Sequence, residues 1–145
     1  MNVYFLLRVM YFGCLLATCI VVWRRGQKPE RLGAAIVFAG SIATVLAAAV
    51  PSLNLDDAQL GILLVDLLML AGFLALVLNT DRYWPVWVCG FHLVGVATHL
   101  VMLFYPSILP QAYRLVHGLW AYPVMFAIMI GTRDPWWWRR TNYEA

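Results

Sequence analysis

Five stretches of the chain stay apolar for about twenty residues each, at 3–23, 32–50, 60–78, 86–105 and 112–130, with short polar connections between them. About 20 helical residues at 1.5 Å apiece cross the roughly 30 Å hydrocarbon core of a bilayer. The pattern predicts an all-α, polytopic helix bundle of five transmembrane helices, one membrane domain over residues 1–145, ending in an interfacial tail at 131–145. The breakers fall between the stretches. Gly26 and Pro29 mark 24–31 as a basic connection, Pro51 opens an acidic loop at 51–59, and Pro106 and Pro110 frame a tight turn. Pro123 lies inside the fifth stretch, where a kink is expected.

The first stretch raises the question of a cleaved leader, because Leu16-Ala17-Thr18-Cys19 loosely resembles a lipoprotein cleavage box. Two features oppose cleavage. Arg8 lies within the apolar run instead of before it, and residues 20–23 carry that run past the cut. A retained helix stopping at Arg24 and Arg25 is expected.

Composition narrows the class further. Charged residues make up 12% and hydrophobic ones 63%, whereas a soluble domain carries about a quarter charged. Water is excluded as the solvent for most of this surface. The net charge of +3 comes from arginines beside apolar spans, so no nucleic-acid partner is expected. Cys14, Cys19 and Cys89 fall within spans and read as free thiols packed like small hydrophobes.

Five spans put the termini on opposite sides, and the basic residues choose which. With the N-terminus outside, the cytoplasmic side holds Arg24, Arg25, Lys28, Arg31, Arg82, Arg133, Arg139 and Arg140, eight of the ten Lys and Arg residues. Arg8 and Arg114 remain outside. This bias, with Trp23, Trp84, Trp87 and Trp136, Trp137 and Trp138 at the same level, predicts an inner (plasma) membrane protein with a cytoplasmic C-terminus.

The second stretch repeats Ala35, Ala39, Ala43 and Ala47 every four residues. Small residues at that spacing let helix backbones approach closely. The ridge is expected to pack within the bundle, with a partner protein or a second copy as the other reading.

Folding the spans on this topology places four ionisable residues at one depth in the outer third of the membrane. Arg8 lies about 10 Å in, Asp66 and His99 about 9 Å, and His117 about 8 Å. They are expected to converge, with Asp66 ionised and paired to Arg8, because a lone carboxylate in lipid would protonate. The bland reading is interhelical glue. A second reading makes His99 and His117 axial ligands of haem b in an electron-transfer subunit. Zinc or copper is less expected, since such sites assemble three or four ligands. A third reading is a proton or small-solute route. His92 lies on the His99 face two turns away, with no histidine partner at its own depth.

No G-x-S-x-G, H-E-x-x-H, C-x-x-C or P-loop pattern occurs, so no enzyme is expected. Asn54, Asp56 and Asp57 read as solvated loop residues and not as a cation site. The sequence therefore points to a small non-catalytic membrane subunit or accessory, contacting lipid and other membrane proteins or itself, with no cofactor certain.

Overall fold

The computed structural model describes residues 3–49, 55–104 and 118–133. Within them the chain is helical with no β-strand: α1 (Val3–Arg25), α2 (Lys28–Ala49), α3 (Leu55–Asn79), α4 (Trp84–Phe104) and α5 (Ala121–Gly131). The first four are long and apolar enough to cross a membrane, over Phe5–Arg25, Lys28–Ala49, Gln59–Asn79 and Trp84–Met102. The fifth expected span is described only in part. Its described portion is the 11-residue helix α5, so four spans stand and the expected range 112–117 lies outside the described residues.

Three helix starts differ from the sequence expectation, each for an identifiable reason. α2 begins at Lys28, not 32, because Pro29 is tolerated in a first turn that needs no amide from it. The carboxylate of Glu30 accepts the backbone N–H of Gln27 at 2.8 Å, which closes one half of a capping box. α4 likewise begins at Trp84 with Pro85 in its first turn. α3 starts at Leu55 within the expected loop, since acidic residue types at 56 and 57 suit the positive end of a helix. Around Pro123 the helix is interrupted at Trp120 and resumes at Ala121. Pro123 has no N–H to offer the carbonyl four residues earlier, and its ring crowds that carbonyl.

The helices form a ring in chain order, α1–α2–α3–α4–α5, closed by α5 against α1, and α5 also reaches α2. Helices consecutive in the chain run antiparallel, so α5 closes the ring parallel to α1. A two-residue connection, Gly26-Gln27, turns α1 into α2, and along α2 and α3 Ile36 meets Gly72, Met69 lies over Gly40, and Ala47 meets Gly61. One end of the bundle therefore gathers the last turns of α1, α3 and α5 with the first turns of α2 and α4.

The outward surface is apolar. Phe5, Val9, Phe12, Leu16 and Ile20 stand exposed along α1, Leu64, Leu68 and Leu78 along α3, and Phe126 on α5. A patch of this size has no place in water and suits acyl chains. The interior holds Leu15, Val37, Phe73, Val88, Met125 and Ile128.

The ridge on α2 is corrected by this arrangement. The face that α2 buries carries Glu30, Gly33, Ala34, Val37, Gly40 and Ser41. Ala35 and Ala39 are exposed on the opposite face, while Ala43 and Ala47 are half-buried. The four-residue alanine repeat runs obliquely round the helix, and the closest approaches are made by the glycines beside it. Gly33 and Gly131 clasp the indole of Trp84. A Cβ at Gly33 would lie 2.7 Å from its Cη2, and one at Gly131 would lie 2.6 Å from its Cδ1.

A rigid indole held by backbone on two sides cannot give way, so overpacking should cost about 1–3 kcal/mol. Gly33→Ala and Gly131→Ala are each expected to lower the thermal midpoint in detergent. Gly13→Ala, where an added methyl meets nothing within 4 Å, should leave it level or raise it, and equal behaviour of all three would count against the clasp.

Candidate functional site

Two polar clusters occupy the bundle, one within the spans and one at the end where five helix termini meet. The first centres on Asp66 of α3. Its Oδ2 lies 2.9 Å from Nε2 of His99 on α4, with the two side chains 14% and 5% exposed. His92, seven residues earlier on α4, places its Nε2 2.9 Å from the backbone oxygen of Asp66. A carbonyl only accepts, so His92 donates from Nε2 there. Its ring also meets Phe73 edge-on, with centroids 5.3 Å apart. Seven residues are nearly two turns, which is why one face of α4 brings both imidazoles to a single residue of α3.

On the other side of the ring, Tyr11 of α1 and Ser41 of α2 lie 2.6 Å apart through their hydroxyls. Ser41 donates its one proton to the Val37 carbonyl at 2.7 Å, so the phenol of Tyr11 is the donor of the pair. The Tyr11 ring also meets that of Tyr122 of α5 at right angles. Thr18 turns its hydroxyl back to the Cys14 carbonyl.

Of the four residues expected to share a layer, the structure brings together Asp66 and His99. Arg8 does not join them. Its side chain is exposed and forms no ion pair among the described residues. The reason is topological: α1 and α3 are not consecutive in the ring, and the carboxylate turns to its direct neighbour α4. A long arginine near a helix end can instead reach toward the headgroups. His117 lies outside the described residues. Cys14, Cys19 and Cys89 are free thiols, and no group of three or more His, Cys, Asp or Glu is placed to hold a metal among the described residues.

Chemically, a carboxylate and an imidazole in contact can share one proton and stay neutral as a unit. Either the proton rests on His99 beside an ionised Asp66, or on Asp66 beside a neutral ring. Neutrality as a pair lowers the cost of holding ionisable groups in lipid.

The second cluster was not foreseen. Glu30, at the third position of α2, is fully buried. Its Oε1 lies 3.1 Å from Nη1 of Arg82 and accepts the indole N–H of Trp84 at 2.8 Å. Its Oε2 accepts the Gln27 amide. Arg82 in turn donates from Nη2 to the side-chain oxygen of Gln27 at 2.7 Å and from Nη1 to the Gly131 carbonyl at 3.4 Å. One guanidinium thus ties the start of α2 to the end of α5, from the connection between α3 and α4. Beside it, Arg31 donates to the Gly26 and Trp23 carbonyls and covers the Trp23 ring at 5.5 Å, capping α1. The pairing of an acidic residue three places after Gln27 with Pro29 between them was the legible signal for this helix start. Nothing in the linear pattern pointed to Arg82 as its partner.

No protein-family model matches the chain, and no curated protein or solved structure shows significant similarity to it.

Removing one side of a buried ion pair strands the other, at a cost of about 3–5 kcal/mol. Arg82→Leu and Glu30→Leu should each destabilise the bundle strongly in detergent, and the double variant should lose much less than the sum. Additive losses in a thermal-unfolding cycle would show that the two side chains do not depend on each other.

Proposed function

We propose that this chain is a small non-catalytic protein of the inner (plasma) membrane, with its basic end toward the cytoplasm, that serves as a subunit or accessory of a larger membrane assembly. The observation that carries this reading is the exposed position of Ala35 and Ala39 on α2. They stand on the face of α2 opposite the one it buries, among exposed large apolar side chains such as Phe38 and Ile42. At these two positions the α2 backbone lies open, and small residues allow another helix to approach it closely. The polar side chains meanwhile engage one another inside the bundle, as supports for its shape.

The described charges accord with the orientation. Arg24, Arg25, Lys28, Arg31 and Arg133 are exposed at the end where the Glu30–Arg82 cluster lies, as cytoplasmic connections require. Association is read by native electrophoresis of mildly solubilised membranes. The wild-type chain should migrate in a species larger than the monomer, and Ala39→Trp should dissolve that species while leaving thermal stability unchanged. A wild-type monomer in every mild detergent would refute the subunit reading.

A second reading, proton transfer, is favoured by the 2.9 Å contact between Asp66 and His99 within the spans. His92, held on the backbone oxygen of Asp66, would extend a path on one side. Vesicles holding the purified chain and an internal pH dye should then equilibrate faster than empty ones, and Asp66→Asn should abolish the difference. No difference for the wild type would remove this reading. The haem b alternative on His99 and His117 is weaker, because an iron at His99 Nε2 would have to displace Asp66.

A further inference from the structure

An apolar groove of ≈ 210 Å³ runs between α4 and α5, lined by Trp87, Phe91, Pro123, Phe126, Ala127 and Ile130. It opens sideways, on the face where Trp87 and Phe126 are exposed. From Ile130 to Pro123 it extends two turns of α5, about 10 Å. The Pro123 interruption shapes it, and the rings of Trp87 and Phe91, with centroids 6.5 Å apart, form one wall.

The groove starts at the basic end of the bundle. Arg133 follows Ile130 by one turn, its amide bonded to the Ile130 carbonyl at 3.0 Å, and its side chain is exposed. Arg82, close by at the Gly131 carbonyl, is already matched by Glu30. Among the described residues, Arg133 is the exposed cation one turn beyond the groove-lining Ile130, and Trp87 in the groove wall is the amphipathic ring that favours the headgroup level. We propose that this groove is a binding site for an anionic glycerophospholipid, one acyl chain lying along Phe91, Phe126 and Ala127 and the phosphate held by Arg133. A neutral slot alone would accept any chain. The cation at its mouth supplies the preference for a negative headgroup.

The full chain, reconstituted in phosphatidylcholine vesicles with a trace of phosphatidylglycerol carrying a diazirine on its acyl chain, tests this by peptide mapping after illumination. Label should concentrate on Trp87, Phe91, Phe126 and Ile130, and unlabelled phosphatidylglycerol should compete where added phosphatidylcholine does not. Arg133→Gln should lower labelling about fivefold, the effect of one basic residue near an anionic surface. Ile130→Trp, which fills the slot, should remove it. Label spread evenly to Phe5 and Leu64, competition by phosphatidylcholine as effective as by phosphatidylglycerol, or labelling unchanged in Arg133→Gln would each overturn the proposal. So would disulfide linkage of two chains through Phe126→Cys, which would seat a second copy in the groove.

Discussion

A carboxylate buried at the edge of a membrane is tolerable only where it is fully engaged, and Glu30 is engaged from three directions. The Gln27 amide, the Trp84 indole and the Arg82 guanidinium belong to the α1–α2 connection, the first turn of α4 and the α3–α4 connection. Arg82 adds the end of α5 through the Gly131 carbonyl. Lipid supplies little force for bringing apolar helices together, because the tails are as apolar as the side chains. Polar contacts and close packing must therefore set how the helices meet. Here both coincide, since the indole that donates to Glu30 is the one clasped between Gly33 and Gly131.

With one end pinned, the polar residues deeper in the bundle can be held at fixed separations. Asp66 meets His99 and His92 across the α3–α4 contact, and Tyr11 meets Ser41 across α1 and α2. Each pair joins consecutive helices, so each reinforces the ring order instead of crossing it. The same pinning leaves α5 with its short inner half packed against α4, α1 and α2, and the lateral groove beside Pro123 follows from where that helix restarts.

Much of the fold was legible because apolar length is a strong signal. Four of the spans coincide with long helices, two of them starting a few residues early because Pro29 and Pro85 sit in first turns. The face of α4 was legible too, since the seven-residue spacing of His92 and His99 puts both toward α3. Partner choice was not. Arg8 and Asp66 share a depth, yet depth says nothing of which helices are adjacent, and the ring gives Asp66 to α4. The alanine repeat misled for a related reason: it marks a surface that allows close approach, while the glycines at 33 and 40 lie on the face that makes it. Glu30 and Arg82 fall in or beside the expected connections, and their burial arises only when connections far apart in sequence are folded to one end.

The pinning of the helix ends is tested most directly by the distance between the Arg82 guanidinium nitrogens and the Glu30 carboxyl carbon in lipid bilayers, read by ¹⁵N–¹³C dipolar coupling in solid-state NMR of the labelled full chain. A strong coupling is expected, consistent with the 3.1 Å contact between nitrogen and carboxylate oxygen. A coupling too weak to detect, with the helices otherwise intact, would mean that the ends of α2, α4 and α5 are held together by something other than this pair.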